Sequence, residues 1–167
     1  MKIHFITAGG TIDKVYFDAR SEYQVGPPQV AEILRDAVVA FEFEVESVLA
    51  KDSLDMTEED RRLIRRRVEA SPCDRIVITH GTDTMVETGR LLKGIPGKTI
   101  VLTGSMQPAR FRNTDAAFNL GTALGAVQTL PPGVYLAMNG RILDPDRARK
   151  NRERGTFEEV PPGGPQE

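Results

Sequence analysis

The sequence has little of what covalent or metal-centred chemistry usually needs. Its one cysteine, Cys73, has no partner for an internal disulfide, and its two histidines, His4 and His80, stand alone at strand positions or ends. Each reads as a structural side chain, with His80 at most a support for its neighbour Thr82. No group of His, Cys, Asp and Glu has metal-ligand spacing, so no metal is expected. Charge of one sign is lacking as well: 22 Lys and Arg against 24 Asp and Glu leave a formal −2. That gives no long-range field to gather a polyphosphate, so nucleic acid is not an expected partner. "RRLIRRR" is basic, but it falls between Leu63, Ile64 and Val68 on a helix pattern and reads as a solvated face. No apolar run reaches the roughly 18 residues of a membrane span. The opening "MKIHFITAGG" has only a short apolar patch broken by glycines, unlike a secretory leader. No membrane partner and a cytoplasmic location are the expectations.

What is present describes one globular unit. The 167 residues, 40% hydrophobic and 28% charged, suit a single domain, taken as residues 1–160, with 161–167 at the end of "VPPGGPQE" as a flexible tail. Short apolar, β-rich runs at Ile3–Thr7, Phe43–Leu49, Arg75–Thr79, Thr99–Thr103 and Val134–Met138 alternate with helical patterns. The alternation predicts an α/β fold of three layers: an open, mostly parallel sheet with helices on both faces. Thr57, followed by Glu58, Glu59 and Asp60 with arginines beyond, predicts a capped helix. "DTMVETGRLLKG" predicts a second from Asp83 to about Lys93, ended by Gly94. Ala117, Leu120, Leu124 and Val127 mark a third, started by Thr114 or Asp115. Asn139–Gly140 is a hairpin-type turn.

Three of the strands leave in the same manner. "FITAGGTID", "IVITHGTDTM" and "IVLTGSMQP" each run through threonine into glycine and a hydroxyl residue. In a parallel sheet these exits share one edge, outside which ligands bind. Thr11, Thr82 with Asp83, and Ser105 are thereby candidates to converge, where glycines admit a ligand to the backbone. Any one Gly-Thr exit alone is most often a turn and helix cap; the three together carry the reading. "AGGT" lacks G-x-G-x-x-G and enters "IDKVYFDARSEYQVGPP", which reads as a long loop rather than a helix, so a dinucleotide site is rejected. With Tyr16 and Tyr23, that loop suits a lid carrying an aromatic residue.

Taken together and in order, "TAGGTID", "KDSLDMT", "THGTDTM", "LTGSMQP" and "DAAFNLGTAL" resemble the amino-terminal domain of the bacterial-type L-asparaginases over about residues 3 to 150. The resemblance implies a threonine amidohydrolase that forms an acyl-enzyme from L-asparagine and releases ammonia and then aspartate, with no cofactor. It implies Thr11 as nucleophile, Tyr23 (with Tyr16 a rival) as the site tyrosine, Thr82 as second catalytic threonine, Asp83 as partner of the substrate ammonium, and Lys150 as base. Gly10, Asp52, Ser53, Gly81 and Ser105 would line the substrate, with Ser53 on its α-carboxylate. Leu54 stands where larger members often carry a polar contact. By composition alone "RARKNRER" reads as a solvated basic segment; only the family position singles out Lys150, whose neighbours Arg147, Arg149 and Arg152 would then depress its pKa.

Family members are about twice as long, with a second domain that completes a neighbour's site. This chain is expected to be a short single-domain relative working as a homo-oligomer, a dimer or tetramer. A non-catalytic amino-acid-binding module, and an amidohydrolase preferring glutamine or another amide, are the alternatives.

Overall fold

A computed structural model describes residues 1–18 and 21–161; apart from Pro161, the expected tail lies outside the described residues. Five strands, β1 (Lys2–Gly9), β4 (Glu42–Lys51), β5 (Arg75–Thr79), β6 (Thr99–Thr103) and β7 (Gly133–Met138), run parallel, and β8 (Arg141–Leu143) turns back antiparallel. The sheet order is β4-β1-β5-β6-β7-β8. Alternation along each strand sorts the core in two. Ile6, Ile76, Ile78, Ile100, Leu102 and Leu136 point to α2 (Glu58–Ala70) and α3 (Met85–Leu92). Ile3, Phe5, Val77, Val101 and Ala137 point to α1 (Val30–Asp36) and α4 (Ala116–Thr129). Both faces are covered, which is why these strands read as unbroken apolar runs. The three-layer α/β expectation is met, with each expected strand present.

The order has two consequences for function. The chain passes from β1 outward to β4, then returns across β1 to β5, so the direction of winding reverses between β1 and β5. Crevices at such reversals, outside the strand carboxyl ends, are where ligands bind in open α/β sheets. Further, α3 and α4 lie on opposite faces although β5-β6-β7 progress in one direction. The β6–α4–β7 crossover therefore has the opposite hand to the other three, against the strong preference for one hand. Its leading segment, 104–115, has to cross the carboxyl edge of the sheet, and Ala109 N–H donates to the Ile12 carbonyl at 3.1 Å.

Helix ends follow the chemistry read from the sequence. Thr57 and Asp60 form a reciprocal capping box on α2, and Asn139 and Gly140, both at positive φ, turn β7 into β8. Two expectations need correction. The segment after Thr11 is a hairpin, β2 (Lys14–Phe17) against β3 (Glu22–Val25), rather than a loop. Its strands are four residues each and neither buries alternate residues, so the period-two mark of a half-buried strand is missing. The second hairpin, β9 (Ala148–Asn151) with β10 (Thr156–Glu159), also replaces a stretch read as solvated. It is anchored by Ala148 and Phe157, both almost fully buried.

Candidate active site

The exits of four parallel strands are packed backbone against backbone at the carboxyl edge. Gly10, at φ 91° and ψ −173°, lies so close to the exit of β5 that a Cβ there would meet the Gly81 nitrogen at 2.4 Å. A Cβ on Gly81 would meet the Cβ and Oγ of Ser53 at 2.6 Å, and one on Gly104 would meet the His80 carbonyl at 2.3 Å. The glycines thus let the segments after β1, β4, β5 and β6 approach more closely than any side chain permits. Thr11 and Thr82 each follow one of the touching glycines, which brings the two threonine segments to the point where the winding reverses.

The polar groups around Thr82 form a connected set. Lys150 Nζ donates to Thr82 Oγ1 at 2.7 Å and to Asp83 Oδ1 at 3.0 Å. Asp83 N–H donates to Ser53 Oγ at 3.2 Å, and Thr84 Oγ1 donates to the Ser53 carbonyl at 2.9 Å. Lys150 reaches inward because β9 alternates: Ala148 and Lys150 share the face of the core residue Phe157, while Arg149 turns out to Glu158. The expected crowd of cations is only partly realised. Arg147 pairs with Glu159 and Arg149 with Glu158, while Arg152 lies 3.5 Å from Asp83 Oδ1. Both cations meet Asp83 through Oδ1, and among the described residues no hydrogen bond or ion pair reaches Oδ2. Ser53 Oγ accepts from Asp83 and keeps its own proton to donate to an anion. A cavity of about 450 Å³ opens beside this set, lined among others by Asp83, Glu87, Arg90, Lys150 and Arg152.

Behind the set stands His80, fully buried. The Gly81 carbonyl, 2.7 Å from Nδ1, only accepts, so Nδ1 carries the hydrogen. The other nitrogen, Nε2, accepts from Thr88 Oγ1 at 2.8 Å. Burial lowers the His80 pKa to about 4, which keeps the ring neutral. It braces the peptide just before Thr82, in keeping with the supporting role read from the sequence.

None of the other expected residues hydrogen-bonds to Thr82 or Lys150 among the described residues, although Lys150 lies near enough to Asp52 for its charge to act on that carboxyl. Tyr23 and Tyr16 are half-exposed cross-strand partners in the hairpin, with ring centroids 5.4 Å apart. Tyr23 also meets Phe111 at 5.7 Å, edge-on. Asp52 pairs with Lys14 at 2.9 Å and accepts the Leu54 N–H; the hydrogen bond from Lys14 holds its carboxyl below the usual range. Ser105 is buried, and its hydroxyl donates to the Gln107 carbonyl within its own turn. Leu54 is exposed. Sequence reasoning missed Asp13, buried two residues after Thr11, and the Thr88–His80 link.

The family described as "Asparaginase, N-terminal" matches residues 2–162. The chain belongs to the asparaginase family. An L-asparaginase of Thermococcus kodakarensis is 35% identical over 163 residues, covering 93% of this chain and 49% of that protein. The solved structure of the thermostable L-asparaginase from that organism superposes with a TM-score of 0.85 at 32% identity, over 96% of this chain and 51% of the other. A glutamyl-tRNA(Gln) amidotransferase component of Aeropyrum pernix is 30% identical over 86% of this chain and 36% of its own length. A glutaminase-asparaginase of Acinetobacter glutaminasificans is 31% identical over 70% and 36%. The chain thus spans about half or less of the length of these relatives.

Proposed function

We propose that this asparaginase-family domain hydrolyses the side-chain amide of L-asparagine, with Thr11 as nucleophile and Thr82, Lys150 and Asp83 as a proton relay. The observation that carries the reading is the 2.7 Å contact of Lys150 Nζ with Thr82 Oγ1, backed by Asp83 at 3.0 Å. A threonine hydroxyl is a weak nucleophile until a base within hydrogen-bond reach takes its proton. The Thr11 oxygen attacks the amide carbon, and its proton passes through Thr82 and the Lys150 amine to the leaving nitrogen. Ammonia departs and an ester on Thr11 remains; water then attacks the ester, releasing aspartate and restoring the hydroxyl. Asp83 Oδ2 and the Ser53 hydroxyl offer an acceptor for an α-ammonium and a donor for an α-carboxylate. Two opposite handles fix a free amino acid in one orientation. A cytoplasmic homo-oligomer acting on this small molecule completes the proposal.

The test is acid quenching during turnover of L-asparagine, followed by peptide mass measurement. An added aspartyl group on the Thr11 peptide supports the reading. The same mass on the Thr82 peptide would make Thr82, the residue that touches Lys150, the nucleophile. Binding of asparagine with no ammonia released would replace the enzyme by an amino-acid-binding module, and faster release from glutamine would move the substrate.

A further inference from the structure

The buried carboxyl of Asp13 has no part in the relay described above, yet it lies two residues from Thr11 in the same single helical turn, Thr11–Asp13. It is 2% exposed, and among the described residues no cation pairs with it. Three hydrogen bonds use this one residue. Asp13 N–H donates to the Gly10 carbonyl at 3.1 Å, and its carbonyl accepts Gly26 N–H at 2.8 Å. Its carboxylate Oδ1 accepts Gln29 N–H at 2.8 Å. Gly26 and Gln29 are where the chain returns from the β2–β3 hairpin. Asp13 therefore bonds backward to the turn of Thr11 and forward to both residues at the root of the hairpin.

The neighbours extend the same connection. Gln29 donates through Nε2 to the Pro27 carbonyl at 2.7 Å and accepts from Arg110 Nε at 3.0 Å. Ile12, inside the turn, accepts Ala109 N–H at 3.1 Å. The hairpin root, the Thr11 turn and the 104–115 segment that crosses the sheet edge thus meet at one buried node. Tyr16 and Tyr23 stand on the hairpin, and Phe111, which meets Tyr23 edge-on, belongs to the 104–115 segment. Motion of the aromatic hairpin relative to Thr11 has to break or carry the Asp13 bonds.

We propose that Asp13 is a positioning residue: by accepting the Gln29 N–H, its buried carboxyl fastens the hairpin that carries Tyr16 and Tyr23 to the turn that presents Thr11. The link to catalysis rests on the reading of Thr11 as nucleophile; the mechanical link does not. The bond needs an acceptor rather than a charge, because an asparagine Oδ1 at the same place accepts equally well. The geometry also requires the donor, the backbone N–H of residue 29, which proline lacks. Gln29 has φ −88°, near enough to the proline range for Gln29→Pro, read against Gln29→Ala, which loses the same side-chain bonds, to isolate the donor.

Hydrogen exchange read by mass spectrometry on the whole chain at neutral pH tests the link, beside steady-state ammonia release. Asp13→Ala is expected to speed exchange of residues 14–29 at least tenfold while residues 58–79 stay within twofold of wild type. Asp13→Asn, the rescuing variant, should remain within threefold throughout. Gln29→Pro should behave as Asp13→Ala, and Gln29→Ala, which keeps the N–H, should not. In kinetics, Asp13→Ala should lower kcat at least tenfold and Asp13→Asn less than threefold. A general loss of stability would instead speed exchange across the core and leave the kcat of the folded fraction unchanged. Unaltered hairpin exchange in both Asp13→Ala and Gln29→Pro, or equal loosening by Asp13→Asn, overturns the proposal. If Asp13→Ala does not fold, the two Gln29 variants decide it. A wild-type protein that releases no ammonia refutes the reading of the site, and the exchange results still decide whether the link exists.

Discussion

Replacing Gly10 by alanine tests whether the strand exits are held as closely as described. Gly10 sits at φ 91° and ψ −173°, a region open in practice only to glycine, where another residue costs about 1–3 kcal/mol. The new methyl would also stand 2.4 Å from the Gly81 nitrogen and 2.5 Å from its Cα. Both are backbone atoms in a packed exit, so no side chain can swing aside. Relief requires the segments after β1 and β5 to part, at the ~1–3 kcal/mol typical of overpacking. The two terms give about 2–6 kcal/mol, a large share of the roughly 5–15 kcal/mol that holds a domain together. For a chain of this size that corresponds to a fall of roughly 5–20 °C in Tm. Urea unfolding followed by far-UV circular dichroism measures it. A Gly10→Ala protein within about 0.5 kcal/mol of wild type would refute the close contact of Gly10 with Gly81. It would also remove the argument that brings Thr11 beside Thr82.

Thr88→Val is isosteric but removes the hydroxyl that His80 Nε2 accepts; an unpaired polar atom in that buried place should cost about 1–3 kcal/mol. Thr88→Ser should restore most of it in the same denaturant titration, and equal losses in both would show that the link does not stabilise the protein. Asp13 should leave a mark on stability against pH. Burial lifts its pKa to about 7 from the ~3.9 of an unfolded aspartate, so between these values the folded state binds more protons than the unfolded. Stability then falls as pH rises from about 4 to 7, by an amount on the order of 1.4 kcal/mol per unit at most. The difference between Asp13→Asn and wild type should widen in favour of Asn across that window and level off above it; parallel curves would contradict a buried, unpaired carboxyl.

Much of the fold was legible because covered parallel strands and capped helices leave strong marks. Residues 76–79 and 100–103 are buried on both faces, and the Thr57–Asp60 box names the start of α2 outright. The approach of the Thr11 and Thr82 segments was legible in part, since strand exits in a parallel sheet share an edge, whereas Ser53 was named only through the family resemblance. Lys150 was not legible from composition: Arg147, Arg149 and Arg152 surround it, and only the alternation of a four-residue strand turns it inward. The β2–β3 hairpin escaped because its four-residue strands are half-buried in adjacent pairs rather than at alternate positions, so no pattern of period two marks them. Ser105 looked equivalent to Thr11 and Thr82 by its glycine and hydroxyl, yet its hydroxyl is used within its own turn. Long-range partners such as Thr88 for His80 and Gln29 for Asp13 depend on how segments are folded together, which no local pattern records.

The central claim is that Lys150, Thr82 and Asp83 work with Thr11 to cleave an amide, and ammonia release from L-asparagine measures it most directly. Wild type should be compared with Lys150→Met and Thr11→Ala at matched folded concentration, with L-glutamine in parallel. The account predicts release by wild type and a loss of about 10²–10⁴-fold in Lys150→Met, the usual worth of a positioned proton-transfer group. Thr11→Ala should lose at least as much. Release by Lys150→Met at the wild-type rate, or none at all from a folded wild-type protein, would contradict it.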